Sequence, residues 1–129
     1  MSREKLTDQI KNTLLEIDHI VSDMINVSEM VGGSFGITFR KCGKANCWCR
    51  NAEKKGHPFL RITYVENKKS RTKAIPKKDE EWIKKRTDHY KIFRQNFQKL
   101  RQCEITLNDL LNHFEKDVKA KTAQLRDYL

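Results

Sequence analysis

The chain has 129 residues, 37% of them hydrophobic and 34% charged, with 27 Lys and Arg against 17 Asp and Glu for a formal charge of +10. That length suits one domain with extensions and excludes two independent cores, while so low an apolar share excludes a thick globular core in favour of narrow seams along long helices. No apolar run approaches the roughly 20 residues that cross a bilayer, and the opening Met1-Ser2-Arg3-Glu4-Lys5 leads into no signal-peptide core, so a cytoplasmic protein with no membrane association is expected.

The charge is unevenly placed. Residues 1–31 hold 3 basic and 6 acidic side chains, residues 32–76 hold 11 and 2, and residues 77–129 hold 13 and 9. A basic centre of that density attracts polyanions, whether nucleic acid, an acidic protein face or an anionic surface.

From about Arg3 to Val31 there is neither glycine nor proline, and Ile10, Leu14, Ile17, Val21 and Met24 recur at steps of four and three. This predicts an N-terminal helix over 1–31 with one apolar seam, ended by Gly32-Gly33. A basic knuckle and hairpin module is expected over 32–76. Gly36–Arg40 and Phe59–Val65 read as strands rich in β-branched and aromatic residues; Glu66–Ser70 reads as a hairpin turn, and Arg71–Ile75 as a shorter strand closed by Pro76.

Over 77–129, again without glycine or proline, Tyr90, Phe93, Phe97, Leu100, Leu107, Leu111, Phe114 and Val118 follow a 3–4 alternation broken where Glu104 takes an apolar place. That predicts a long C-terminal helix, or a helical hairpin folded back near Glu104. The fold class expected is thus α+β, mostly α, in one domain overall: an N-terminal helix, a small antiparallel β meander with a cysteine knuckle, and a long C-terminal helix of coiled-coil character. The two seams suit either an intramolecular antiparallel pair or a homodimer, and the mismatch in helix length favours self-association.

Cys42, Cys47 and Cys49 form C-x4-C-x-C, with Gly43 after the first to permit a tight loop. In a reducing compartment three thiols so close together point to metal rather than to a disulfide. Thiolates hold Zn²⁺ at about 2.3 Å in a tetrahedral shell that needs a fourth donor. His57 is the candidate by position and Cys103 the alternative, reachable only through tertiary packing. Structural zinc is the expected cofactor; an iron–sulfur cluster, a redox-sensing thiol group and no cofactor are the other readings.

Gly33-Ser34, Arg40-Lys41-Cys42-Gly43-Lys44, Cys47-x-Cys49, Pro58-Phe59 leading into a strand, Ile75-Pro76 and Tyr90-x-x-Phe93-Arg94 together resemble a widespread group of short uncharacterised prokaryotic and viral proteins over roughly residues 32–115. The resemblance implies a metal knuckle and a following helix, brings no established activity, and associates the chain with mobile elements and phages. In that group the histidine stands one place earlier, before a glycine; here the order is Gly56-His57.

Around the knuckle lie Arg40, Lys41, Lys44, Arg50, Lys54 and Lys55, and on the hairpin Arg61, Lys68, Lys69, Arg71 and Lys73. Clustered cations bind phosphates by releasing condensed counterions. Trp48, between two cysteines, either stacks on an exposed base or packs over the metal site. The function expected is DNA or RNA binding by an accessory or regulatory protein of a mobile element or phage. Lys84, Lys85, Arg86, Lys91 and Arg94 would extend the grip, and the helices would serve dimerisation. The alternative is a protein-interaction adaptor or inhibitor docking on an acidic partner. No enzyme is expected: the chain has no phosphate loop, nucleophile elbow or His-Glu metal helix, and Asp88-His89, adjacent on a helix, point apart.

Overall fold

The computed structural model describes residues 2–129, mostly helical: α1 (Arg3–Ile25), a three-stranded antiparallel sheet of β1 (Ser34–Arg40), β2 (His57–Glu66) and β3 (Lys69–Ala74), and α2 (Glu80–Leu125). The chain forms two compact units, Met1–Val27 with Phe93–Leu129, and Ser28–Ile92.

In the helical unit, Ser2 starts α1 from an extended conformation, its hydroxyl accepting a hydrogen bond from the Lys5 N–H, with Glu4 in the first turn where the helix dipole favours negative charge. The buried residues of α1 are Leu6, Thr13, Ile20 and Met24, with Ile10 and Ile17 half-buried. The seam therefore lies one residue to the side of the predicted stripe: Leu14 is 49% exposed and Thr13 takes the inward place. Thr13 can do so because its hydroxyl donates to the Gln9 carbonyl at 2.8 Å, which removes the penalty of burying an unpaired polar group.

Ile20, Met24 and Cys103 form the core of this unit, with Ile17, Phe93, Phe97 and Leu100 packed around them. Arg3 pairs with Asp117 at 3.0 Å, so α1 runs antiparallel to this stretch of α2. Glu104 is exposed and the buried Cys103 fills the core-facing place beside it, so no break falls there and α2 is one uninterrupted helix rather than a hairpin.

In the sheet unit, β1 pairs with β2 from Ser34↔Thr63 to Arg40↔His57, and β2 with β3 from Arg61↔Ala74 to Glu66↔Lys69. The last pair leaves Asn67 and Lys68 as a two-residue turn, both with positive φ (51° and 65°), the conformation whose twist matches that of the flanking strands. Cross-strand partners share a face. Phe35 and Ile62 lie on the one approached by the start of α2, where Ile83 and Thr87 are buried and Lys84 Nζ lies 5.4 Å from the Phe35 ring centre.

The predicted N-terminal helix stops at Ile25, short of the glycines, with Asn26 as its cap. The chain that follows is held to α2 instead. Glu29 pairs with Arg86, His89 Nδ1–H donates to the Glu29 carbonyl at 2.9 Å, and the Val31 N–H donates to the Arg86 carbonyl at 3.0 Å. Among the described residues no helix is long and apolar enough to cross a membrane.

Candidate metal centre

The knuckle is built by three local devices between β1 and β2. Gly43, at φ +80°, lets the chain turn directly after Cys42, in a conformation that L side chains rarely adopt. A turn closed by the Cys47 N–H on the Lys44 carbonyl (3.3 Å) leads into a short 3₁₀ turn, Trp48–Arg50, which carries Cys49 inward until it is fully buried. Asn51 Oδ1 then accepts from the Glu53 N–H at 3.0 Å, and the buried Gly56, at φ +107°, passes so close to β1 that a Cβ there would lie 2.5 Å from the Arg40 carbonyl oxygen.

This crossing places His57 opposite Arg40 as the first residue of β2. One ligand atom each from Cys42, Cys47, Cys49 and His57 falls in a cluster whose members all lie within 4.8 Å of one another. The Cys42 and Cys49 sulfurs are 3.5 Å apart, and Cys47 Sγ is 3.1 Å from His57 Nε2. Sulfurs bound tetrahedrally at about 2.3 Å stand roughly 3.7 Å apart, so a cluster of these dimensions is compatible with a four-coordinate metal site. The Cys42 N–H points at Cys49 Sγ (3.3 Å), a contact that stabilises a thiolate ligand. Cys103 takes no part, being buried in the helical unit's apolar core, where burial and then nearby Glu16 hold its thiol above the ordinary range.

Two of the thiols are unequally poised. The Lys44 backbone hydrogen bond, followed by those of the Cys47 and Cys49 thiols, holds Cys42 down at about 6. For Cys47, the Cys49 backbone hydrogen bond acts in the same direction but is outweighed by desolvation and by the Cys42 and Cys49 neighbours, so that its pKa is raised. The lowered pKa of Cys42 favours its thiolate form, the form that binds metals, and the raised pKa of Cys47 favours its neutral thiol.

Residues 3–85 match the family described as a domain of unknown function, DUF6788. The chain belongs to this family. The match reaches further toward the N-terminus than the span of the sequence resemblance, taking in α1, and it ends within the first turns of α2. No curated protein and no solved structure matches. The family's span contains the whole knuckle and sheet, while most of α2 lies beyond it.

The structure divides the basic residues proposed from sequence into separate sets. Lys41, Lys44, Arg50, Lys54 and Lys55 belong to the knuckle loop, Lys55 lying over the Phe39 ring at 5.7 Å. Lys69, Arg71 and Lys73 pair with Glu66, Tyr64 and Ile62, placing them on the same sheet face as Ile62, on an edge strand exposed throughout, while Lys68 caps the turn. Arg40 and Arg61 lie on the opposite face. Two cations expected to extend the grip are engaged internally: Arg86 stacks 3.9 Å from the Trp82 ring centre and pairs with Glu29, and Lys84 sits between Glu80 and Glu81 at 3.8 Å from each. Trp48 tilts against His57 with ring centres 4.8 Å apart, yet stays 55% exposed, so it both flanks the ligand cluster and presents ring surface to solvent.

Sequence reading missed Phe59, which is 47% exposed beneath Arg40 (5.7 Å). Its place in the alternation, out of phase with Ile62 and Tyr64, was the available signal.

Proposed function

We propose that the protein binds nucleic acid through its sheet-and-knuckle unit, with zinc as a structural ion held by Cys42, Cys47, Cys49 and His57. One observation carries this reading. Ser28–Ile92 contains 17 basic and 7 acidic side chains, net +10, whereas the helical unit contains 10 of each. All of the protein's net charge therefore sits in the unit that holds the metal cluster, where it creates a local field suited to a polyanion.

Four protein donors close the coordination shell, which supports scaffolding rather than catalysis and a non-enzymatic role. The ion would tie the loop to the base of β1 and β2 and so fix the positions of its lysines and arginines. An accessory role in mobile elements or phages accords with the sequence resemblance. Dimerisation through the Ile20–Met24 face is not included, because that face is already packed against α2.

The reading is tested by titrating the zinc-analysed protein into labelled duplex DNA, single-stranded DNA and RNA at a series of salt concentrations. Binding should weaken steeply with salt, the logarithm of affinity falling by about 0.7–0.9 per phosphate neutralised. Negligible binding to all three near physiological salt would sink the reading and turn attention to an acidic protein partner.

A further inference from the structure

We infer that the nucleic acid bound is single-stranded, and that it is read as ring surface by the sheet face that carries Phe59, with Phe59 and Trp48 as stacking platforms and Arg40 and Arg61 as the adjoining cations. This rests on the nucleic-acid reading above and assigns its substrate class.

The face is defined by strand pairing. His57, Phe59 and Arg61 alternate along one side of β2, level with Arg40, Thr38 and Gly36 of β1, whereas the start of α2 approaches the opposite, Ile62 side. Two aromatic rings remain open along this row: Phe59, 47% exposed, and Trp48, 55% exposed and held beside the row by its contact with His57. Rings of that size left in water are unfavourable unless something covers them. Phe59 opens into a hollow lined also by Ile37, Leu60, Ala74, Ile75, Lys77 and Glu80, and cations adjoin these apolar side chains. Arg40 lies over Phe59, and Arg61 extends over Gly36, where an added Cβ would stand 3.8 Å from its Nε. That Nε is buried and makes no hydrogen bond among the described residues.

A partner for such a surface must offer flat apolar faces and negative charge together. An unpaired base on a phosphate chain does so. A duplex does not, because its base faces are covered by one another and it presents mainly phosphates to a flat sheet. Lys69, Arg71 and Lys73, on the other face, are not part of this surface.

The test uses the zinc-loaded full chain with labelled thymidine or uridine oligomers of about a dozen nucleotides, compared with a duplex carrying the same number of phosphates. The single strands should bind at least about tenfold more tightly. Phe59→Ala should lower their affinity by about 5- to 150-fold, the loss of one base–aromatic stack, with the salt slope and duplex affinity unchanged, while Phe59→Tyr should keep binding. Because Phe59 is 47% exposed and is not one of the clustered ligands, the alanine variant should retain zinc content and helical circular dichroism. As an independent readout, Trp48 emission in a Trp82→Phe background should be quenched by single strands and not by duplex. Steep salt dependence with equal affinity for both forms would overturn this inference while leaving the broader reading intact, and so would a single-strand preference that survives Phe59→Ala. Absence of binding to any nucleic acid would overturn both.

Discussion

Gly56 does for the metal centre what no other residue could do at its position. Its φ of +107° is a conformation that L side chains rarely adopt, and the Arg40 carbonyl occupies the place of a Cβ. Gly56→Ala should therefore destabilise the fold by at least about 1–3 kcal/mol from backbone strain alone, measured by thermal or denaturant unfolding of the zinc-loaded protein. Since Gly56 delivers His57 to the cysteines, the same variant should bind zinc more weakly, read with a chromophoric chelator; unchanged zinc affinity would mean that the crossing does not set the ligand geometry. The order Gly56-His57 thus acquires a reason: the glycine is needed at the strand crossing, and the next residue is the one that turns toward Cys47. The close approach to Arg40 cannot be read from the one-dimensional pattern, because it depends on what lies across the sheet, whereas the alternation with Ile62 and Tyr64 did signal the face on which Phe59 lies.

At the scale of the element, the β2–β3 turn carries a local inconsistency. Asn67 is well suited to positive φ, but Lys68, at φ 65°, pays for its Cβ in a position that favours glycine. Lys68→Gly should raise stability by about 0.5–1 kcal/mol in denaturant unfolding, the relief of strain exceeding the added entropy of the unfolded chain. A loss of stability would show that the turn is not of the assumed type. That a lysine stands there is consistent with a use for its charge, and the salt series with Lys68→Gly reads this as a decrease of up to about 0.9 in slope if Lys68 contacts a phosphate. The helices teach a different lesson. Periodicity located both of them, but it preferred Leu14 to Thr13 and raised a break at Glu104 that Cys103 removes. The heptad pattern ranks side chains by hydrophobicity, whereas the packed face accepts a threonine or cysteine whose small volume fits and whose polar atom is satisfied locally.

At the scale of the whole molecule, charge separates the two units more sharply than any segment of sequence suggests. The helical unit is neutral in sum and joins its ends with an ion pair between Arg3 and Asp117. The Arg3 hydrogen bond, opposed by some desolvation and aided by Lys121, holds the Asp117 carboxyl below the usual carboxylate range. A depressed folded pKa contributes stability that is present above the unfolded value of about 3.9 and is lost as pH falls through the folded one. Acid unfolding of the Asp117→Asn variant should therefore be less steep below about pH 4 than that of the wild type, with a small difference between them at neutral pH because the pair is partly exposed. Equal acid slopes would show that the ion pair does not persist in solution.

By itself the sequence determined the order of elements, the antiparallel meander with its turn at Glu66–Ser70, the three knuckle cysteines and the basic centre. Each is written locally, in hydrophobic period, turn residues and ligand spacing. Only the tertiary structure decided among the partners those signals left open: His57 rather than Cys103 beside the thiols, Phe93, Phe97 and Leu100 of α2 against the Ile20–Met24 face, one helix rather than two across Glu104, and Arg40 and Arg61 on a different sheet face from Lys69, Arg71 and Lys73. These are questions of which distant atoms share a small volume, and their answer comes from packing and strand register rather than from the order of residues along the chain.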